Sequence, residues 1–295
     1  MAQLDRARPS IDPDKSGDAL NVQRFQMLED IARELAGNVI FPTSFDAACK
    51  LRKTLQDRER TLDDIVRVLA PEPLISAKLI QLANTPRYNH NGKRHADLQS
   101  AVSGLGIETV RSTALAIVMT QFLRAKGMAE YADLSNSLLD HSIRSAAAAR
   151  VIATHYTRLN PETAMLAGLI HDLGAFYMLY RAAQYDELRR RPDTIKHVIV
   201  HWHESIGVSL LNALGLPEEI ILATEDHDRK AILLNPPRTL ADIVHIANML
   251  AGSHSAWLHQ GRTAHDHTKA KVVAAFEHLI PEIDALAEKM RKDLT

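Results

Sequence analysis

The chain has 295 residues, of which 46% are hydrophobic and 24% are charged, as is typical of a globular protein with a sizeable core. Its 35 Lys and Arg residues balance 36 Asp and Glu residues, and only 5% of the residues are aromatic. This balance disfavours nucleic acid and anionic membranes as partners, because both require a basic surface on the protein and the sequence shows no basic stripe. No apolar run resembles a signal peptide or spans a bilayer, and the single cysteine, Cys49, excludes an intramolecular disulfide. We therefore expect a cytoplasmic protein in which any metal site uses His, Asp and Glu.

The N-terminal part divides into a leader and one helix. Residues 1–20 are polar and contain Pro9 and Pro13, which predicts a disordered leader. Residues 21–37 carry apolar side chains at helical spacing and predict an amphipathic helix with the stripe Val22, Phe25, Leu28, Ile31, Ala32 and Leu35. That stripe could pack on the rest of the chain or on a second copy, so a homodimer stays open.

Residues 38–130 predict an N-terminal helical subdomain. Capping-box patterns, in which a Thr precedes an Asp by three residues, predict helix starts at Thr43 and Thr61. Pro71 and Pro73 precede another helical pattern, residues 85–97 read as an exposed loop, and residues 101–123 resume helical spacing.

Residues 131–255 predict a second helical unit, and residues 256–295 a linker with a C-terminal helix over residues 272–290. Asn160-Pro161 is a strong helix start, because Asn caps free amides and Pro suits the first turn. A helix is also expected over residues 240–250. No run alternates apolar and polar residues over the length of a strand, so the predicted fold class is all-α.

The pair His171-Asp172 interrupts an apolar helical run just before Gly174, which we interpret as a helix stop. A carboxylate beside an imidazole is costly to bury there unless a cation, a partner charge or several hydrogen bonds compensate it. Other candidates recur along the chain. They are His141 at the start of a small-residue helix, His203, which shares a helical face with Gly207, and His227-Asp228.

The order of these residues resembles the HD superfamily of helical metal-dependent phosphohydrolases, and the surrounding sequence is most similar to its HDOD branch of bacterial signalling domains. The similarity covers residues 38–250 and rests on the stretches Phe41-Pro42-Thr43, residues 73–84, Ala101-Val102-Ser103-Gly104-Leu105-Gly106, residues 203–211 and residues 215–220. The resemblance implies an HD-like core over residues 131–255, with an N-terminal helical bundle packed against it.

The resemblance also implies a ligand set for one or two divalent ions, Mn, Mg or Fe, at His141, His171, Asp172, His203 and His227. Active relatives usually end this set with an aspartate, where this chain has Asn248. The loss of that anion should lower metal affinity and argues against a bridged pair of metals.

Two further departures from the branch that cleaves cyclic dinucleotides argue against that activity. A lysine usually follows the His-Asp-x-Gly motif, where this chain has Ala175. The Gly-Tyr-Pro signature that follows paired histidines is also missing after His227-Asp228.

The residues leave alternatives open. His141, His171 and Asp172 could form a metal-free buried network, and His203 or His227 could be partly exposed at helix ends. Asp228 is expected to be a helix-end or loop residue. A rival interpretation places Asp242 or His245 in the site, because they share a face with Asn248, and His265 and His267 are expected in a surface linker.

The functional hypothesis is a regulatory signalling module that binds a ligand or partner proteins through a degenerate phosphohydrolase pocket, without enzyme activity. A phosphate-containing small ligand and unidentified signalling proteins are the expected partners. The alternative is a divalent-metal-dependent phosphohydrolase that acts on a phosphoester or nucleotide, and a nucleic-acid-binding protein ranks last.

Overall fold

The computed structural model describes residues 18–36, 61–71, 73–90, 92, 94–107, 109–110, 112–114, 116–117, 128–213, 216–225, 227–228, 236–252 and 264–294. All regular structure in these ranges is helical, which confirms the predicted fold class. The helices are α1 (Asp18–Ala36), α2 (Leu62–Leu69), α3 (Pro73–Ala83), α4 (Leu98–Leu105), α5 (Ala132–Tyr156), α6 (Pro161–Ile170), α7 (Leu173–Ala182), α8 (Asp186–Arg189), α9 (Pro192–Ala213), α10 (Glu218–Thr224), α11 (Leu240–Leu250), α12 (Ala264–Phe276) and α13 (Ile280–Leu294). Short 3-10 turns precede α5, at Met128–Tyr131, and α13, at Glu277–Leu279.

Helix α5 is the centre of the core and packs against α6, α11 and α13. Its middle is a run of four buried alanines, Ala146 to Ala149. A Cβ atom on Gly168 of α6 would lie 2.7 Å from the Ser145 carbonyl oxygen and 2.9 Å from the Ala149 Cβ. Small residues on both helices therefore let α5 and α6 approach closely, as the sequence of α5 predicts.

Several helix starts follow the capping chemistry of the sequence. Thr61 and Asp64 form the predicted capping box of α2, and Asn160 caps α6 by accepting hydrogen bonds from the Glu162 and Thr163 amides. The predicted helix over residues 240–250 is α11, which Thr239 caps. The predicted helix start at Thr43 lies outside the described residues.

Helix α1 packs on α7, α8 and α9, and polar contacts fasten its C-terminal half. Glu34 accepts hydrogen bonds from the Tyr177 hydroxyl at 2.5 Å and from the Arg181 guanidinium, and the Tyr185 hydroxyl donates to Asp30 at 2.5 Å. This polar network adds charge-assisted bonds to the apolar contacts of the helix.

Helix α1 differs from its prediction in its first residue and in its buried face. The helix begins at Asp18, so residues 18–20 belong to it and not to the predicted leader, whose residues 1–17 lie outside the described residues. Val22 and Phe25 are 62% and 71% exposed, whereas Leu20, Met27 and Ile31 are buried. The buried face is therefore rotated from the predicted stripe. This rotation allows Glu34 to contact Tyr177 and Arg181 of α7, and Asp30 to contact Tyr185 after it.

The C-terminal pattern also differs from its prediction. The expected helix over residues 272–290 is divided by the 3-10 turn at Glu277–Leu279 into α12 and α13, and residues 264–271, expected in a linker, are helical. Arg291 donates to Asp140 at 2.9 Å and Arg144 pairs with Asp284 at 2.5 Å, so α13 is fastened to α5. In the described part of the chain, no helix combines the length and apolar character that a membrane crossing requires.

Gly174 does not stop a helix, contrary to the sequence interpretation. The helical run ends earlier, at Ile170, and Gly174 lies in the first turn of α7, where that helix crosses α9. A Cβ atom on Gly174 would lie 2.0 Å from the His203 carbonyl oxygen and 2.6 Å from the Gly207 nitrogen. Glycine is required there because the two backbones touch.

We expect Gly174→Ala to lower the free energy of unfolding by about 3 kcal/mol, because the added methyl group forces α7 away from α9. Gly207→Ala is the matched control. Its Cβ would lie 3.5 Å from the Gly174 nitrogen, an ordinary contact, so helix propensity should leave stability unchanged or raise it by up to about 1 kcal/mol. Urea unfolding followed by circular dichroism at 222 nm measures both. Equal stability of the two variants would contradict the inferred backbone contact.

Candidate metal centre

Asp172 occupies the break between α6 and α7. It stands at the N-cap position of α7, but its side chain makes no capping hydrogen bond. Instead, Asp172 Oδ2 lies 3.2 Å from His171 Nε2 and 3.6 Å from His141 Nε2, whereas Oδ1 lies 3.2 Å from His227 Nε2 and 3.6 Å from His203 Nε2. One carboxylate thus faces a pair of imidazoles on each side.

Backbone carbonyls orient three of these imidazoles. His171 Nδ1 donates to the Gly168 oxygen at 2.7 Å, His203 Nδ1 to the Ile199 oxygen at 2.8 Å, and His227 Nδ1 to the Thr224 oxygen at 2.7 Å. Because a carbonyl oxygen only accepts, Nδ1 has to carry the hydrogen in each case. In the neutral ring Nε2 is then the lone-pair atom, and it points at Asp172, which is the arrangement that a metal-ligating histidine requires.

His141 and His171 approach each other through their Nε2 atoms, which are 3.2 Å apart. Two lone pairs facing each other at that distance repel, so a proton or a cation has to lie between the rings. The structure therefore brings all five predicted ligand residues together. The alternative that His203 or His227 is partly exposed is wrong, because they are 1% and 2% exposed.

The structure adds two carboxylates that the sequence analysis missed as site residues, Glu204 and Asp228. Asp228 lies in the turn after α10, as expected, but its Oδ2 is 3.6 Å from His203 Nε2 and its Oδ1 is 3.8 Å from His227 Nε2. The Asp228 backbone N–H donates to Glu204 Oε1 at 3.3 Å. A signal was present, since Glu204 and Asp228 directly follow His203 and His227, as Asp172 follows His171.

The residues on α11 have separate roles. Asn248 Nδ2 donates to Asp228 Oδ1 at 3.0 Å, and Asn248 Oδ1 is buried without a hydrogen-bond partner in the described ranges. His245 Nδ1 donates to the His227 carbonyl at 2.6 Å, so His245 fixes the turn that carries a candidate ligand. Asp242, the rival candidate, uses its Oδ2 to accept hydrogen bonds from the Arg238 and Thr239 amides, so this oxygen caps α11.

Burial and charge act in opposite directions on two members of the cluster. Burial raises the pKa of Asp172, but the His171 and His227 imidazoles outweigh it and hold that pKa well below its ordinary value. Burial lowers the pKa of His227, but Asp228 and Asp172 raise it to about 10. In metal-free protein at neutral pH, His227 is therefore protonated and Asp172 is charged, and a cation that binds here has to displace that proton.

The residues fit a divalent cation. His203 Nε2 is buried without a hydrogen-bond partner in the described residues, so a lone pair is available. The donor atoms around Asp172 are 3.2 to 3.6 Å apart. Ligands at about 2.0 to 2.2 Å from one ion lie roughly this far from each other. The mixture of imidazole and carboxylate suits Mn, Fe and Zn, and less well Mg.

An all-helical fold that buries a cluster of His and Asp side chains at helix ends is typical of HD-type helical domains. A family model described as the HDOD domain matches residues 41–230, which is more than half of the chain. The chain therefore belongs to the HDOD family. A comparison with curated proteins finds no match.

Three solved structures share the fold at 19 to 20% identity. A "putative metal-dependent phosphohydrolase" from Shewanella amazonensis SB2B has a TM-score of 0.63 and 19% identity, over 90% of this chain and 99% of that one. An HDOD domain protein with unknown function from Geobacter sulfurreducens has a TM-score of 0.53 and 20% identity, over 91% and 98%. A "putative signal transduction protein" from Marinobacter aquaeolei VT8 has a TM-score of 0.51 and 19% identity, over 95% and 68%.

We expect Asn248→Asp to raise divalent-metal affinity at least about tenfold, equivalent to about 1.4 kcal/mol. The new carboxylate would lie beside Asp228, whose charge a cation can offset, while the metal-free protein should lose stability from the repulsion. Titration calorimetry with Mn²⁺ measures the affinity, and thermal unfolding in chelator measures the stability. Asn212→Asp, on the exposed face of α9, is the matched control. Unchanged Mn²⁺ affinity in Asn248→Asp would contradict the assignment of this side chain to the centre.

Proposed function

We propose that this chain is a regulatory HDOD module in which a buried centre holds a divalent cation as part of its folded framework and does not turn over substrate. The observation that supports this function is the burial of the ligand atoms. His141, His171, Asp172, His203 and His227 are 0 to 2% exposed, which leaves no access for a phosphoester in the described conformation.

The residues that would hold the cation come from four places in the fold. His141 lies on α5, His171 and Asp172 lie between α6 and α7, His203 lies on α9 and His227 follows α10. When bound, the cation would neutralise the buried carboxylates and join these elements. Binding of the cation would therefore be coupled to the packing of four elements. A sensing module can use such coupling.

The regulatory role is supported by the family and, at the level of fold alone, by the similar Marinobacter protein. Signalling proteins are the proposed partners, and a phosphate-containing small molecule is the proposed ligand class. In the described residues, the ion pairs of Asp172 involve only imidazoles, so such a ligand would bind outside the buried centre and act on it through the surrounding helices.

A phosphohydrolase is the second candidate, and one observation favours it. The two oxygens of Asp172 face separate imidazole pairs, so His141 with His171 would hold one cation and His203 with His227 a second. The second side also contains Glu204 and Asp228, which together with His203 and His227 form a four-residue group of possible ligands. Paired cations of this kind assist in-line displacement at phosphorus.

We expect protein purified without chelator or nickel to contain near-stoichiometric Mn, Fe or Zn, and His203→Gln to lose most of it. His201→Gln is the matched control, because His201 lies on the exposed face of the same helix. Inductively coupled plasma mass spectrometry measures the content. Removal of the metal should lower the melting temperature by about 5 to 10 °C, and added Mn²⁺ should restore it.

Metal-free wild-type protein with an unchanged melting temperature in Mn²⁺ would contradict a metal-binding centre. Equal metal content in His203→Gln and His201→Gln would place the metal elsewhere. Circular dichroism at 222 nm verifies that each variant is folded.

Phosphodiesterase activity distinguishes the two candidates. We expect metal-loaded wild type to hydrolyse bis(p-nitrophenyl) phosphate no faster than Asp172→Asn, because the ligand atoms are enclosed. The release of p-nitrophenolate at 405 nm measures the rate with Mn²⁺, Mg²⁺ or Fe²⁺. Metal-dependent turnover that Asp172→Asn lowers at least about 100-fold would support the phosphohydrolase instead.

A further inference from the structure

Asp172 divides the candidate metal centre into two sides. The first, here called the His141 side, consists of the two imidazoles that face Asp172 Oδ2, His141 and His171. The second, here called the Asp228 side, consists of the two imidazoles that face Oδ1 and of two carboxylates beside them, which are His203, His227, Glu204 and Asp228. The two sides therefore differ in the number of carboxylates that a cation would meet.

The Asp228 side brings four possible ligand atoms close together. One nitrogen or oxygen atom from each of its residues lies within 4.8 Å of the others. Two ligands at about 2.2 Å from one ion are about 3.1 Å apart when adjacent and about 4.4 Å apart when opposite, so small side-chain movements complete a coordination shell. Each of the four residues is at most 9% exposed. A cation on this side would therefore be enclosed by protein ligands.

His203 provides one atom that is prepared for a cation. Its Nδ1 donates to the Ile199 carbonyl, so the neutral ring carries its lone pair on Nε2. That Nε2 atom is buried without a hydrogen-bond partner in the described residues, 3.6 Å from Asp172 Oδ1 and 3.6 Å from Asp228 Oδ2. A lone pair buried between two carboxylate oxygens is costly unless a cation or a proton joins them. The geometry therefore favours a ligand role for His203 between these two acids.

Hydrogen bonds hold both carboxylates of the Asp228 side in place. Asn248 Nδ2 donates to Asp228 Oδ1 at 3.0 Å, while Asp228 Oδ2 lies toward His203. Glu204 follows His203 on α9, and its Oε1 accepts from the Asp228 backbone N–H at 3.3 Å. An ionised carboxylate has about four acceptor sites. Both acids can therefore keep these hydrogen bonds and still bind a cation.

The His141 side offers a cation fewer anionic ligands. In the described residues, its group of possible ligands consists of two imidazoles and one carboxylate, that of Asp172, which it shares with the Asp228 side. The affinity of a site for a divalent cation rises with the negative charge of its ligands. A second cation would also be repelled by the first one nearby. Cations should therefore fill the Asp228 side before the His141 side.

The Asp228 side also has more donors than a tetrahedral ion uses. Together with Asp172, it offers nitrogen atoms from two imidazoles and oxygen atoms from three carboxylates. Zn²⁺ is usually satisfied by four ligands, whereas Mn²⁺ and Fe²⁺ accept five or six. Glu204 is 9% exposed, against 1 to 2% for the other three residues, so it is the outermost of these donors. A fifth ligand at Glu204 would therefore benefit Mn²⁺ and Fe²⁺ more than Zn²⁺.

We propose that the first cation binds at the Asp228 side and that Glu204 shifts the selectivity of this side toward Mn²⁺ or Fe²⁺ and away from Zn²⁺. The inference rests on the proposed function, because it requires that a cation binds beside Asp172. It goes further by giving the two sides different roles. The Asp228 side holds the cation that stabilises the fold, and the His141 side takes a second cation at higher metal concentration.

Titration calorimetry of the metal-free full chain with Mn²⁺ tests the order of binding. We expect one ion per chain to bind first, and a second ion to bind at least about tenfold more weakly. Asp228→Asn should weaken the first step at least about tenfold, because it removes a charged ligand. His141→Gln should weaken the second step.

Titration of Glu204→Gln with Mn²⁺ and with Zn²⁺ tests the selectivity. The first step should weaken at least about tenfold for Mn²⁺ but less than about threefold for Zn²⁺, which keeps four ligands. Glu225→Gln is the matched control, because Glu225 lies exposed at the C-terminal end of α10 and the substitution removes the same charge. Circular dichroism at 222 nm verifies that each variant is folded.

The outcomes separate this inference from the proposed function. Absence of Mn²⁺ binding to the wild type overturns both. If Mn²⁺ binds and His141→Gln weakens the first step as much as Asp228→Asn does, only the order of binding is overturned. Equal losses of Mn²⁺ and Zn²⁺ affinity in Glu204→Gln, or affinities equal to those of Glu225→Gln, overturn the role of Glu204. If Asp228→Asn does not fold, a tenfold loss in the first step of His141→Gln relative to the wild type overturns the order.

Discussion

The burial of the Asp172 carboxylate among imidazoles is the constraint on which the core depends. A carboxylate at 2% exposure is tolerated only where positive charge or several donors surround it. Protonated His227 supplies one such charge in metal-free protein, and cations held by His141, His171, His203 and His227 would supply more. These residues come from distant parts of the sequence, so their elements have to converge on one point. The contact of α7 with α9 at Gly174 is part of this convergence, because it adjoins both Asp172 and His203.

Helix α6 connects the buried centre with the N-terminal helices. Its middle contributes Met165 and Leu169 to a cavity that Leu82 of α3 also lines, and its C-terminal end leads directly into His171 and Asp172. Its N-terminal turn carries Glu162, which pairs with Arg87 and Arg150. One ten-residue helix thus faces the N-terminal helices with one end and the buried centre with the other. The peripheral helices α1 and α13 are fastened differently, by polar contacts to α7 and α5.

Local chemistry made part of this structure predictable from sequence. Helical spacing placed His203 on one face with Gly207, which the structure buries, and the caps at Thr61 and Asn160 are read directly from short patterns. Gly174 was misread because a close approach between two backbones is a tertiary property that no local pattern contains. Glu204 and Asp228 were missed because helical spacing predicts which face of a helix a residue occupies, but not which residues of other elements it contacts.

The hydrogen bonds of His171 and His227 have a consequence for which residues can stand at these positions. Each Nδ1 donates to a carbonyl three residues earlier, at the C-terminal end of α6 or α10, so one imidazole both closes a helix and aims a lone pair. A carboxylate could supply the lone pair but not the hydrogen, and its oxygen would face the carbonyl. A carboxylate at 171 or 227 would therefore lose the bond that closes the helix, whereas at 228 and 248 side chains meet only side chains, and an acid at 248 would face the Asp228 carboxylate directly.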